Sequence, residues 1–211
     1  MIHVTSFVTT GSAEENCYLI YNEENLLVVD PGNDSAKIQA YITKLKRNPV
    51  AILLTHTHYD HIGAVEAIRQ AYDIPVYVSP LEQAWLGDPM LNLSGMLRHA
   101  DMDDIIVAPA EYEFEMREYT LGGMTFTVVP TPGHSIGSVS LIFHSDNFVI
   151  TGDALFAGNI GRTDLHTGNM TQLLNSVQTN LFTLPDDYTI YPGHRGSSTI
   201  GHEKATNPFF N

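Results

Sequence analysis

The chain has 211 residues, 43% of them hydrophobic, which is enough for one sizeable core. Its formal net charge of −14 argues against a nucleic-acid surface, which needs a basic stripe, and against an anionic membrane. No apolar run approaches the roughly 20 residues that span a bilayer, and a single cysteine, Cys17, excludes an intrachain disulfide.

Met1-Ile2-His3-Val4-Thr5 carries no basic segment and no long apolar stretch. No signal peptide is therefore expected, and a cytoplasmic location is the expectation. Residues 2–8 alternate loosely and predict a first strand, followed by a loop. Residues 17–21 and 26–29 predict a hairpin around Asn22-Glu23-Glu24-Asn25, with Cys17 as a buried, inert thiol. Asp30-Pro31-Gly32-Asn33 breaks the chain, and Ser35 is placed to cap a helix over residues 36–47. The apolar run Val50-Ala51-Ile52-Leu53-Leu54 predicts a buried strand, and residues 64–71 have helical composition. Residues 76–78 predict a short strand, and Ser79-Pro80 a helix start for residues 81–86.

Residues 87–110 fit a lid, a short helix or a loop. The second half is rich in predicted strands, over residues 112–114, 117–121, 124–129, 139–143 and 148–150. Residues 170–182 predict an amphipathic helix with Leu173, Leu174, Val177, Leu181 and Phe182 inward, and a last short helix falls over residues 199–205. The acidic stretches at residues 101–104 and 111–118 are expected to be solvated.

Between the strand and helix around residue 55 lies Thr55-His56-Thr57-His58-Tyr59-Asp60-His61. Two neighbouring loop histidines would ordinarily be solvated. Four ligand-type side chains crowded behind a buried strand point instead to a metal, because neutral imidazole nitrogen and carboxylate oxygen suit a zinc-like ion. Three later loops repeat the arrangement, each after an apolar run: Thr131-Pro132-Gly133-His134-Ser135, Thr151-Gly152-Asp153 and Tyr191-Pro192-Gly193-His194. Asp30 closes a buried strand and suits either a turn cap or an acceptor that orients a ligand. His3, His99, His144, His166 and His202 lack a partner pattern and are expected at the surface or in structural roles. Neither a Ser-His-Asp or Cys-His nucleophile nor a phosphate loop stands out.

The His-x-His-x-Asp-His pattern, with the three later loops in this order, resembles the metallo-β-lactamase superfamily. The resemblance implies an α/β fold, an αββα sandwich of two mixed sheets with helices outside, in a single domain over residues 1–211. It assigns one metal to His56, His58 and His134 and a second to Asp60, His61 and His194, with Asp153 bridging. Asp60 would also orient the nucleophile. Two divalent metal ions are implied, zinc first, with iron and manganese also compatible.

Thr151 to Asp164, with Gly161-Arg162-Thr163-Asp164 at its end, resembles the glyoxalase II branch and its persulfide dioxygenase relatives; Arg162 is a candidate substrate contact or an ion-pair partner of Asp164. The segment from Ser198 to Phe209 is similar to short, single-domain glyoxalase-II-like proteins. These resemble thioesterases that cleave S-D-lactoylglutathione through a metal-bridging hydroxide. Glyoxalase II carries a helical C-terminal domain with basic residues for the glutathione carboxylates; here only Arg195 and Lys204 follow His194. The hydrolytic centre therefore carries over, and the glutathione site does not. The leading expectation is a binuclear hydrolase acting on a small-molecule thioester, with no nucleic acid or membrane partner and the oligomeric state open. The alternative is a mononuclear iron persulfide dioxygenase using His56, His134 and Asp153. A non-catalytic or nucleic-acid-processing member is a third reading, opposed by the complete ligand set and the acidity.

Overall fold

The computed structural model describes residues 1–11, 13–96 and 103–211. His99, expected at the surface, and part of the segment considered as a lid lie outside the described residues. The chain divides into two compact units, Met1–Phe114 with Thr120–Met124, and Glu115–Tyr119 with Thr125–Asn211.

The first unit holds β1 (His3–Thr9), β2 (Glu15–Tyr21), β3 (Asn25–Val29), α1 (Ser35–Leu45), β4 (Asn48–Leu53), α2 (Tyr59–Ile62), α3 (Val65–Tyr72), β5 (Val76–Val78) and β6 (Tyr112–Glu113). A tight 3-10 turn, Gln83–Gly87, stands where the sequence predicts a helix. Its sheet runs β1-β2-β3-β4-β5-β6. The β2–β3 hairpin closes as Asn22 Oδ1 accepts from the amides of Glu24 and Asn25, at 2.9 and 2.8 Å, the side chain mimicking a backbone turn. From β3 onward the pairings are parallel, so each return needs a crossover, made by α1 and then by α2 with α3. Parallel strands are covered on both faces, which is why Leu26, Leu27, Val28 and Val29 form an uninterrupted buried run. Cys17 is fully buried in this core, and burial pushes its thiol well above the usual range, consistent with an inert role.

The helix α1 starts one residue earlier than expected. Ser35 is already helical, and the cap position belongs to Asp34 in the left-handed region at φ 55°. The Asp34 side chain makes no cap bond and accepts from Thr10 instead. The exit of β3 touches α2 directly: a Cβ on Gly32 would stand 1.8 Å from the Asp60 carbonyl oxygen, so only glycine admits this approach. Residues 88–96 and 103–107 are laced together within this unit. Asn92 Nδ2 donates to the Ile105 carbonyl at 2.9 Å, the Ile105 amide donates to Ser94 Oγ at 3.0 Å, and the Asn92 carbonyl receives the Tyr59 amide at 2.9 Å.

In the second unit are β8 (Met124–Pro130), β9 (Val139–Phe143), β10 (Phe148–Gly152), β11 (Leu155–Phe156), β12 (Asn159–Ile160), α4 (Met170–Ser176), β13 (Thr189–Pro192), β14 (Ser198–Thr199) and α5 (Ile200–Thr206); β7 (Glu118–Leu121) begins there. Its sheet order is β14-β13-β10-β9-β8-β7, and β11 pairs with β12 in a small hairpin. Antiparallel β9 and β10 meet β13 in a parallel pairing, a mixed sheet. The β8 strand alternates, with Met124, Phe126 and Val128 buried. Val149, Leu155, Leu173, Val177, Leu181 and Ile190 lie in a core cluster of this unit. Among the described residues no helix is long and apolar enough to cross a membrane.

Candidate metal centre

The residues of the densest motif leave β4 as extended chain and turn into α2. His58 keeps an extended backbone, φ −65° and ψ 149°, at the cap of that helix. Asp60 and His61 follow within its single turn. Strand-like alternation before the helix puts His56 and His58 on one side of the chain and Thr57 on the other. The His56 and His58 ring centroids lie 4.7 Å apart, and those of His56 and His61 4.1 Å apart. Asp60 Oδ2 stands 3.8 Å from His61 Nε2. All four side chains are buried or nearly so.

Asp30 explains how three imidazoles share this space. Its Oδ1 accepts the Thr55 amide at 2.8 Å, and its Oδ2 accepts the Thr55 hydroxyl at 2.6 Å. His61 Nδ1 lies 3.0 Å from the same Oδ2, so Nδ1 carries the proton and the lone pair sits on Nε2. The Thr55 hydroxyl, its proton given to Asp30, accepts from His56 Nδ1 at 3.1 Å and fixes the same tautomer there. A carboxylate that orients a liganding histidine is a recurrent device of metal sites. Of the two sequence readings of Asp30, the acceptor role is the one seen, with Asp30 orienting His61. Asp30 adopts φ 48°, a sparsely populated region for a residue with a Cβ.

Behind Asp30 and His61 lies Glu15, fully buried, with Thr9 Oγ1 donating to Oε2 at 2.8 Å. Burial drives its carboxyl well above the ordinary range; His61 and the Thr9 hydrogen bond pull it down, and Asp30 and Asp60 push it further up. The sequence reading missed Glu15. Its only signal was an acid at the edge of an apolar strand.

In the second unit His134 occupies the loop from β8 to β9. Its Nδ1 donates to the Arg162 carbonyl at 2.8 Å, so the lone pair again sits on Nε2. Asp153 follows β10, and its Oδ2 lies 3.5 Å from His134 Nε2 and 3.4 Å from His194 Nε2. Gly193 N donates to the Gly152 carbonyl at 2.8 Å, tying the loops that carry Asp153 and His194. The Phe156 ring meets His194 edge-on, centroids 5.8 Å apart. Gly161 makes this packing possible, since a Cβ there would stand 1.9 Å from the Asp153 carbonyl oxygen and 3.0 Å from His134 Nδ1.

The Arg162 guanidinium grips Asp164 through two bonds of 2.8 Å, both side chains more than half exposed. The Arg162 side-chain hydrogen bonds are the largest cause holding the Asp164 carboxyl down at about 2. The main chain of Arg162, rather than its charge, touches His134. Among the remaining histidines, His3 stacks on Tyr21, and His144 Nδ1 lies 3.1 Å from the Tyr188 hydroxyl.

The donor set fits a divalent metal. It is imidazole and carboxylate only, largely buried, and the Nδ1 atoms of His56, His61 and His134 are each engaged, which leaves Nε2 as the atom that could hold a metal. Strand-end loops bearing such donors, on mixed sheets flanked by helices, define an α/β protein with a candidate metal site. The chain belongs to the metallo-β-lactamase superfamily, whose family model matches residues 12–194. A "probable metallo-hydrolase" of Streptococcus pyogenes is 52% identical over 94% of this chain and 86% of its own. Hydroxyacylglutathione hydrolase GloC of Haemophilus influenzae is 33% identical over 100% of this chain and 97% of its own.

Among solved structures, the B3 metallo-β-lactamase BLEG-1 gives a TM-score of 0.93 at 38% identity, covering 99% of each chain. A protein crystallised in a di-iron-bound form gives 0.82 at 35% identity, covering 96% of this chain and 98% of that one. The fold class is thus the αββα sandwich of this superfamily.

Proposed function

We propose that this metallo-hydrolase cleaves small hydroxyacyl thioesters, S-D-lactoylglutathione first among them, at a centre of two divalent ions. The observation that carries the reading is the ligand set. His56, His58 and His61 crowd together beside Asp60 in one unit, and His134 and His194 flank Asp153 in the other. The thioester class is supported by the hydroxyacylglutathione hydrolase relative. In this reading His56, His58 and His134 hold one ion, Asp60, His61 and His194 hold the other, and Asp153 bridges them, as the family pattern implies. Zinc or iron would suit the set, and a relative is known with two irons.

When bound, the ions supply a water ionised near neutral pH and polarise the carbonyl under attack. The chain's own residues prepare that chemistry. Asp60 accepts a hydrogen bond from the attacking water and aims its lone pair. Asp30 and the Arg162 carbonyl hold His61 and His134 in the liganding tautomer. The departing thiolate has a conjugate acid of pKa near 8.5 and needs no protein acid. Arg162 contacts the substrate by swinging from Asp164, a small cost because water screens an exposed ion pair.

The test is elemental analysis of protein purified without chelator, together with a panel of thioesters. Two ions per chain and thiol release from S-D-lactoylglutathione are expected. Asp60→Asn should lower turnover on the order of a hundredfold while leaving the melting temperature of the metal-free protein nearly unchanged. One ion in fully active protein would sink the binuclear reading. A second reading comes from the likeness to a B3 metallo-β-lactamase, so a β-lactam belongs in the panel. Ring opening without thioester cleavage would move the assignment there. Oxygen uptake with glutathione persulfide by an iron form inert to thioesters would favour the dioxygenase.

A further inference from the structure

Thr57 and Glu82 take no part in the chemistry above, yet both are completely buried. Glu82 Oε2 accepts the Thr57 amide at 2.8 Å and the Thr57 hydroxyl at 3.0 Å. One oxygen receives two donors from a single residue, which fixes the peptide as well as the side chain. A buried carboxylate is costly unless its partners are strong, so Glu82 stands here because the metal loop supplies them. Glu82 belongs to the turn after β5. Its amide donates to the Ser79 carbonyl at 3.0 Å, and its carbonyl receives the Trp85 amide at 3.0 Å. Trp85, from the same turn, lays its ring over His58 with centroids 6.3 Å apart and 21° between planes.

We infer that Glu82 is a positioning residue that sets the direction of His56 and His58 by clamping Thr57 between them. In an extended chain neighbouring side chains point to opposite sides. Rotation of the Thr57 peptides therefore swings both imidazoles together, and the clamp on Thr57 removes that freedom. Asp30 holds the chain one residue earlier through Thr55. Two buried carboxylates thus pin alternate residues, Thr55 and Thr57; His56 projects from between the pins and His58 from just beyond the second. The inference rests on the metal-centre reading of this loop but not on the identity of the substrate.

The experiment compares full-length Glu82→Ala, Glu82→Gln and Thr57→Val with the parent protein, and with Ile38→Val, a core change on the buried face of α1, as a control for lost stability. In metal-free protein, Glu82→Ala should speed hydrogen exchange of the Thr57 amide and shift the His56 and His58 imidazole nitrogen resonances. With cobalt(II) added, it should weaken binding about 10–100-fold and alter the visible bands. Glu82→Gln keeps an acceptor oxygen at the same reach and should recover most of both losses. Thr57→Val keeps the amide but loses the hydroxyl, and should move the same resonances by less. Ile38→Val should melt earlier with parental spectra. Parental imidazole resonances in both Glu82→Ala and Thr57→Val would overturn the inference, as would Ile38→Val reproducing their spectra. These readouts use no thioester, so a parent protein inactive on thioesters would defeat the proposed substrate alone.

Discussion

Asp34 shows how a single carboxyl can be diverted from the role its position suggests. It stands at the cap of α1, but its Oδ2 receives the Thr10 hydroxyl at 2.7 Å and the Thr10 amide at 2.6 Å. The hydroxyl bond is the largest cause holding its carboxyl below the ordinary range, followed by the amide, with Lys37 adding a little. A depressed folded value stabilises the native state above the unfolded value near 3.8 and loses that contribution as pH falls through the folded one. Thr10→Val should raise the Asp34 pKa toward its ordinary value and make stability less sensitive to acid. An NMR titration of Asp34 reads this directly, and an unmoved pKa would show that the hydroxyl is not the cause. The same scale explains what the sequence conceals. His56, His58, Asp60 and His61 were legible because ligand types crowd within a few positions. Glu15 and Glu82 were not, because a lone glutamate looks like surface charge until the fold buries it.

At the level of elements, the strands were the most legible part, since burial on one or both faces imprints a period or an unbroken apolar run. Short pieces held by side chains escaped. The β11–β12 hairpin and β14 have only two residues per strand. The helix expected over residues 170–182 is α-helical only through Ser176 and continues as a π turn, Val177–Leu181, closed by Phe182 N bonding to the Val177 carbonyl at 2.9 Å. Thr179 Oγ1 donates to the Asn175 carbonyl at 2.8 Å, and such back-bonding perturbs the regular ladder. Leu173, Val177 and Leu181 still face inward as expected. The chain leaving β12 matters more for the site, because Gly161 lets it lie against the Asp153 backbone. Gly161→Ala must push that chain outward and break the bond from His134 Nδ1 to the Arg162 carbonyl. A loss of about 1–3 kcal/mol in stability is expected from the overpacking. Metal affinity should fall about 10–100-fold. Denaturant unfolding and the His134 imidazole resonances measure the two effects, and a variant with parental values in both would show that the backbone yields without cost.

Over the whole chain, what the sequence made legible was order: a dense His/Asp loop, then a histidine, an aspartate and a histidine, each behind a strand. The order pointed to the family, and the family model spans residues 12–194. Asp30 was already a candidate orienting acceptor in the sequence, whereas Glu15, Glu82 and the main-chain acceptors came only with three-dimensional structure. One consequence of the proposed centre belongs to the molecule as a unit. An ion that binds the native state and not the unfolded chain stabilises by mass action, about 2.7 kcal/mol when free metal stands at 100 times its dissociation constant. For a chain of this size each kcal/mol moves the melting temperature by about 2–4 °C, so stripping one such ion should lower it by roughly 5–11 °C. The net charge of −14 should deepen the effect, since removing dications restores carboxylate repulsion. Melting the protein before and after chelation, then after adding back zinc or iron, measures the shift. Asp153→Ala should start from a lower affinity and gain little on add-back, because both flanking histidines lose the carboxylate they share. An equal metal-induced rise in parent and variant would remove Asp153 from the centre. A melting temperature unchanged by complete stripping would show that the ions bind without linkage to folding.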